Sequence, residues 1–427
     1  LANDEAGLIT GGILENWREI LRVFVVLILV AGAVAGLVYA NSRFLSSVHA
    51  PDEFLALWEG THSFIKEGNS PYTRKVINTV DRELRQDIVD PAIRARYTHF
   101  QYPLFSTIFV IPFALVDYQP ARLAWMTILE LCLIATALVS LRLLDWNGSL
   151  LAKIALVLFT LLWYYGARDV IVGQLSAVVA LFMILGLWFI LQGQDTVAGV
   201  LLAFSLIKPQ LSFPLILFAS LWGISTNRRD LLYSALVSLG VLVLAFMVLM
   251  PSWLVEMLSQ WLSSPSLVNP GSALALLASK LPGIQPQLNV FLHALAIAYL
   301  LFEWFLAWGK QDRRFLFAAL VTLTVSQLII LPVNSTNMTV LVPVLYAIFQ
   351  VWKERWKWGG RFLMWLVLLL ILVGLWLIFI STSTGIVEPT ILYLITPLVC
   401  LLGLWWVRYW FIQPPRVYVE ELVQKVD

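Results

Sequence analysis

The stretch Pro103-Leu104-Phe105-Ser106-Thr107-Ile108-Phe109-Val110-Ile111-Pro112-Phe113-Ala114-Leu115-Val116 decides the fold. It is apolar apart from Ser106 and Thr107, yet it holds only fourteen residues and carries a proline at 112. A helix needs about 20 apolar residues to cross the hydrocarbon of a bilayer. Whether this stretch crosses fixes the side on which every later loop lies, and so the compartment that the chain's polar residues face.

The surrounding sequence is that of a membrane protein. Of 427 residues, 60% are hydrophobic and 13% charged, with a mean hydropathy of +0.84. A soluble domain carries about 25% charged residues, so an ordinary water-soluble enzyme is excluded. The formal net charge of +2 is too small for a nucleic-acid binder. Cys132 and Cys400 both lie inside apolar runs, which argues against a disulfide framework or a cysteine metal site. No cleavable signal is expected before the first apolar run, which is long enough to remain as a span.

Twelve spans are expected, near 20–40, 121–143, 150–165, 170–192, 197–208, 210–225, 231–250, 288–308, 315–332, 338–352, 362–381 and 389–411. If 103–116 dips without crossing, sixteen of the 28 Lys and Arg residues fall on the cytoplasmic side. They include Arg18 and Arg22, Arg228 and Arg229, Lys310 with Arg313 and Arg314, the run Lys353 to Arg361, and the tail from Arg408 to Lys425. A crossing would invert that bias, so the positive-inside rule favours a non-crossing stretch. The expected fold is all-α: a polytopic protein of the plasma membrane, one integral domain over 1–427, with both termini cytoplasmic. Its large extracytoplasmic loop is 41–120 and its second is 251–287.

The large loop is mixed in charge. Phe54, Leu57, Trp58 and Ile65 repeat on one helical face, and Gly68, Asn69 and Pro71 end that helix. Such a helix is expected at the membrane surface. Trp253, Leu254, Met257 and Trp261 give the second loop an interfacial character, and Trp58, Trp253 and Trp261 are expected to wall a groove open to lipid.

Ionisable groups at membrane depth cost about 2.5–3.5 kcal/mol each on insertion scales, so they tend to line a cavity or pathway. Asp52 and Glu53 open the first surface helix. They serve there either as helix-start acids, offsetting the dipole by under about 1 kcal/mol, or as a general base turned toward a lipid-borne substrate. Lys208 interrupts an apolar stretch in Ile207-Lys208-Pro209-Gln210. Pro209 denies the backbone a hydrogen bond, so the chain is expected to turn around a polar pocket. A lysine there suits a phosphate as a point charge, or else snorkels to the headgroups. Arg168, Asp169, Gly173 and Gln174 form a polar cluster at the end of a hairpin. Arg168 and Asp169 neutralise each other on the plain reading, whereas Gln174 is left to hydrogen-bond a sugar or phosphate. Glu130, His293, Glu303 and Gln327 sit within spans, either pairing with neighbouring helices or lining an ion path. No His-Glu-x-x-His spacing, phosphate loop or dinucleotide fingerprint is present. No cofactor is expected; a divalent metal on Asp52 and Glu53 stays open, although adjacent carboxylates at a helix start point in different directions.

In chain order these pieces resemble glycosyltransferase family 87. Asp52-Glu53-Phe54, with Gly68-Asn69-Ser70-Pro71-Tyr72 further on, is similar to that family's Asp-Phe…Gly-x-x-Pro-Tyr opening. Phe100-Gln101-Tyr102-Pro103 with Pro112 resembles its Tyr-Pro-Pro…Pro element, with one proline where two are usual. Gly173-Gln174 resembles its Gly-Gln helix start, and Gly199 with Lys208-Pro209 its Gly…Lys-Pro hairpin. Asn269-Pro270-Gly271-Ser272 is similar to a later Asn-Gln-Ser-like element. The segment Leu331 to Met338 departs from the pattern: it lacks the family's Trp and His, and Asn337 offers a neutral hydrogen bond instead.

The resemblance implies a GT-C fold and transfer of a mannose-like hexose or pentose from a polyprenyl-phosphate donor to a lipid or glycan acceptor on the outer face. It implies an inverting displacement in which Asp52 deprotonates the acceptor hydroxyl and Lys208 stands beside the leaving phosphate. Gln174, Arg168, Gln210, Tyr102, Asn337 and Glu53 are the implied substrate contacts. Two other readings fit a chain of this kind: a transporter or flippase for a lipid or glycan, and a non-catalytic subunit of a membrane complex.

Overall fold

Eighteen α-helices and three 3-10 turns account for the regular structure of the described residues, and no strand occurs among them. The computed structural model describes residues 2–47, 52–85, 88–95, 97–263, 271–383 and 388–413. Asn269, Pro270 and the tail beyond 413 lie outside the described residues.

Helix α1 (Ala2–Ser47) holds no proline, and its half Val23–Ser47 is long and apolar enough to cross a membrane. A lobe of short elements follows: α2 (Phe54–Glu67), α3 (Arg74–Leu84), α4 (Pro91–Arg94), a 3-10 turn (Leu104–Phe109) and α5 (Ile111–Ala114). The deciding stretch 103–116 is thus two short pieces, neither able to cross, and Pro112 sits at the first turn of α5.

The bundle continues with α6 (Tyr118–Leu143), α7 (Leu150–Leu162), α8 (Tyr164–Val172), α9 (Ser176–Leu191), α10 (Asp195–Ser205), α11 (Pro209–Ser225) and α12 (Arg229–Leu249). It closes with α13 (Trp253–Ser263), α14 (Ala273–Ala278), α15 (Gln285–Ala307), α16 (Arg313–Ile329), a 3-10 turn (Ser335–Leu341), α17 (Val342–Thr382) and α18 (Ile391–Ile412).

Six described helices pass as membrane spans by length and composition, and a seventh passes if α7 and α8, bent by 49° at Trp163, form one span. Helices α9, α10 and α11 are apolar but shorter, and α16 is buried from Phe315 to Leu328. The expected spans 338–352 and 362–381 lie on the two sides of a kink at Trp356 and Lys357 inside α17. Gly360 stands against the Trp352 carbonyl, eight residues back. In a straight helix those residues are about 12 Å apart, so the chain doubles back there. The outward face of α12 carries Val237, Val241, Leu244 and Val248, all exposed. Such a patch is stable against lipid tails and costly in water.

The interior is one large apolar cluster running through α6, α9, α16 and α17. Small residues set the closest approaches: a side chain at Gly199 on α10 would run into Ser234 and Leu231 of α12. Polar residues within the expected spans pair between elements. Asn41 donates to Glu130 at 2.8 Å, Arg408 pairs with Glu303 at 2.7 Å, and His293 meets Ser272 at 2.9 Å. Gln327 instead bonds its neighbour Ser326 at 3.2 Å.

Two expectations about the lobe need correction. Helix α2 does bury Phe54 and Leu57, but Leu55 and Ala56 are buried too, against α3, while Ile65 is 36% exposed. The cause is α3, which brings Val76, Val80 and Leu84 to the side expected to be free. The tryptophans are also less open than expected. Trp253 is buried edge-on against Phe105, Trp261 donates to the Gln101 carbonyl at 2.9 Å, and Trp58 donates to the Phe113 carbonyl at 3.1 Å.

Candidate functional site

Four breaks in helix meet at one end of the bundle: the start of α2, the turn between α8 and α9, the turn between α10 and α11, and the 3-10 turn Ser335–Leu341. Backbone contacts fix the first two against each other. The Glu53 amide donates to the Val172 carbonyl at 2.8 Å, and the Trp125 indole donates to the Gly173 carbonyl at 2.9 Å. Gly173 has φ +75°, and a Cβ there would collide with Arg122 and with Phe54. Only glycine fits both demands.

Asp52 is 7% exposed, and each of its carboxylate oxygens accepts a hydrogen bond. One carboxylate oxygen accepts the Leu55 amide at 2.8 Å and so caps α2. The other accepts the Tyr118 hydroxyl at 2.5 Å and lies 3.1 Å from Arg122 Nε. Arg122, at the start of the second turn of α6, is 2% exposed and also donates to the Ile171 carbonyl.

Glu53 faces the other way. Its carboxyl is hydrogen-bonded by Gln174 and lies within the field of Lys208 and Arg168. Burial is the largest influence and raises it above the usual carboxylate range, against the opposing pull of Lys208. Lys208 ends the α10–α11 turn, 4% exposed, with Pro209 opening α11 where a missing N–H costs nothing. Its ammonium donates to Gln174 Oε1 at 2.7 Å and Ser176 Oγ at 2.6 Å. A lysine has three donors, so one remains for a ligand. Thr336 completes the cluster by bonding Gln174 and, at 3.0 Å, Ser176.

The remaining candidates sit around this knot. The Tyr102 phenol lies by the Leu175 backbone, and burial together with Glu53 keeps its pKa well above the ordinary value. Asn337 is 1% exposed, and its Oδ1 has no partner among the described residues. Gln210 is partly buried on the first turn of α11.

Arg168 and Asp169 do not neutralise each other. Both are residues of α8, and Arg168 Nε pairs with Glu388 at 2.9 Å. Asp169 caps α9 through the Ala177 amide at 2.6 Å, and its Oδ1 has no partner among the described residues. Successive helical residues point about 100° apart, which explains the separation. Glu388 also accepts from Tyr164 at 2.7 Å and Ser335 at 2.9 Å, so Arg168 helps hold the 3-10 turn against α8.

The model of glycosyltransferase family 87 matches residues 100–332, more than half of the chain. The chain belongs to glycosyltransferase family 87. It is therefore a membrane glycosyltransferase by family, acting on a donor and an acceptor. The matched region contains Tyr102, Arg168, Gln174, Lys208 and Gln210, while Asp52, Glu53 and Asn337 lie outside it. Nothing among the curated proteins or the solved structures matches the chain.

Sequence reasoning missed Arg122, Tyr118, Ser176, Thr336 and Glu388 as parts of this site. Arg122 did carry a signal, a cation at the start of the second turn of a long apolar helix. So did Glu388, the one acid between Glu354 and Glu420. Among the described residues, no group of three or more His, Cys, Asp or Glu side chains is close enough together to hold a metal ion.

Proposed function

We propose that this chain moves a hexose or pentose from a polyprenyl-phosphate donor to a lipid or glycan acceptor, by inverting displacement on the extracytoplasmic side of the plasma membrane. The observation that carries the reading is the buried Lys208 ammonium, anchored by Gln174 and Ser176 beside the carboxylate-bearing start of α2. A donor of this kind keeps its tail in the bilayer and its sugar phosphate at the interface, so the site needs a fixed cation but no nucleotide-binding domain. As the glycosidic bond breaks, negative charge grows on the phosphate, and a preorganised cation in a water-poor cavity stabilises it.

Asp52 is the proposed general base. An in-line displacement sets the attacking hydroxyl and the leaving phosphate on opposite faces of the anomeric carbon. Glu53 is joined to Lys208 through Gln174 and so belongs to the phosphate side, whereas Asp52 turns away toward Tyr118 and Arg122. The Leu55 amide and the Tyr118 hydroxyl orient its carboxylate, Arg122 pairs with it by charge, and lone-pair sites remain for the acceptor proton. Gln174, Gln210, Tyr102 and Asn337 are proposed substrate contacts. Arg168, committed to Glu388, acts by holding the 3-10 turn in place. The twelve-span GT-C arrangement and cytoplasmic termini belong to the same proposal.

The test is sugar transfer by the purified full chain in nanodiscs, given radiolabelled polyprenyl-phosphate mannose, glucose and arabinose with a membrane lipid extract as acceptor. Labelled product from at least one donor supports the reading. Donor movement between leaflets without any product would support the transporter reading in its place.

A further inference from the structure

Helix α13 buries one face, formed by Trp253, Met257 and Gln260 at 1%, 5% and 6% exposure. The spacing i, i+4, i+7 makes this a single inward stripe. Val255, Leu258 and Leu262 point outward. A stripe of this kind usually ends in an apolar residue, yet here it ends in a carboxamide. Neither the oxygen nor the nitrogen of that carboxamide has a hydrogen-bond partner among the described residues. Leaving both ends of a buried amide unsatisfied is the costly half of hydrogen-bond energetics, and such groups in folded proteins call for a ligand or water.

The placement of α13 says which ligand. Three contacts lock the helix onto the lobe: Trp261 donates to the Gln101 carbonyl at 2.9 Å, Trp253 meets Phe105 edge-on at 6.2 Å, and Ser70 bonds Glu256. Gln260 therefore lies at the level of Gln101 and Tyr102, and the Tyr102 phenol reaches the Leu175 backbone beside Glu53. Among the described residues the Trp253 indole N–H is also without a partner, and the facing stretch carries a further orphan, the fully buried Ser106 hydroxyl. Three side chains with unsatisfied polar atoms, Gln260, Trp253 and Ser106, thus occupy two segments packed on each other beside Tyr102.

We propose that the Gln260 carboxamide binds a sugar ring of the transferase substrate, its oxygen accepting from one hydroxyl and its N–H₂ donating to the neighbouring one. A carboxamide presents a donor and an acceptor side by side, the complement of two vicinal hydroxyls. The inference rests on the transferase reading and adds to it a carbohydrate contact from the second loop. The sugar comes from either the donor or the acceptor, and the test separates the two.

The test uses the full chain in nanodiscs, with whichever polyprenyl-phosphate sugar gives product in the transfer assay above and the acceptor that receives it, comparing the unaltered protein with Gln260→Met. Methionine keeps the length of the side chain and removes its polar atoms. The expected result is a Gln260→Met protein that melts no lower than the unaltered one. Its KM rises about tenfold for one substrate, as for a lost substrate hydrogen bond, with a smaller change in kcat. A rise confined to the donor KM places the donor sugar on Gln260, and a rise confined to the acceptor KM places the acceptor there. Unchanged KM values for both substrates overturn the inference and leave the transferase reading standing, whether or not melting falls. Absence of transfer by the unaltered protein overturns the transferase reading and the inference with it.

Discussion

Arg122 Nε lies 3.1 Å from Asp52 Oδ2, and both side chains are buried where α6 meets the start of α2. The pair joins the carboxylate proposed as base to the helix that also carries Trp125 onto Gly173, so the base and the Gly173-Gln174 turn share one support. Removing one partner of a buried pair costs about 3–5 kcal/mol, because the other charge is left uncompensated. Arg122→Met is therefore expected to lower stability by that order. Asp52→Asn combined with Arg122→Met should recover most of it. Thermal melting of the four proteins in nanodiscs makes the comparison, and simple addition of the single losses in the double variant would count against the pairing.

Gly173→Ala tests the same junction through the backbone. Alanine there meets a positive φ, which costs about 1–3 kcal/mol, and the added Cβ collides with Arg122 and Phe54. The expected outcome is a destabilised protein whose transfer activity falls further than its folded fraction, since the displaced guanidinium no longer orients Asp52. Activity per folded molecule equal to that of the unaltered chain would show that the junction is structural only.

Lys208→Met keeps the bulk of the side chain and removes its charge. Weakened donor use is expected, visible as a higher KM for polyprenyl-phosphate sugar together with a lower kcat, because the cation is proposed to act on both bound donor and leaving phosphate. Unchanged donor kinetics would remove Lys208 from the site. Gln174→Leu is expected to reproduce part of this effect, since Gln174 Oε1 holds the ammonium at 2.7 Å.

Acid and alkali act on the lobe with opposite signs. The Arg94 guanidinium bonds Asp81 and holds its carboxyl below the ordinary value. That contribution is present above the ordinary carboxylate pKa of about 4 and is lost as pH falls through the folded value. Glu53 is raised by burial, so its ionisation destabilises the fold as pH rises from the ordinary value through the folded one. Limited proteolysis of the lobe should thus accelerate on acidification in the unaltered chain and become less pH-dependent in Asp81→Asn. Glu53→Gln should melt higher than the unaltered protein at neutral pH, with the gap closing in acid. A pH-independent gap would place Glu53 outside the buried site.

Much of this architecture could be read from local signals. The placement of the Lys and Arg residues predicted that 103–116 does not cross, and Gly68 with Pro71 predicted the end of α2. Lys208-Pro209 marked the break between α10 and α11. What stayed illegible depends on partners distant in sequence. Arg168 was matched to its neighbour Asp169 because Glu388 lies 220 residues away. The burial of Leu55 and Ala56 required knowing that α3 folds back over α2. The orientation of Asp52 toward Tyr118 and Arg122, rather than toward Lys208, follows from helix capping geometry that adjacent letters do not reveal.

The most direct test of the central claim is sugar transfer by Asp52→Asn, measured in nanodiscs with a polyprenyl-phosphate donor that the unaltered chain uses. Loss of a positioned general base lowers rate by about 10²–10⁴-fold, and a fall of that size in kcat with donor binding retained is the predicted result. Transfer at the unaltered rate by Asp52→Asn, with Glu53→Gln carrying the loss instead, would contradict it.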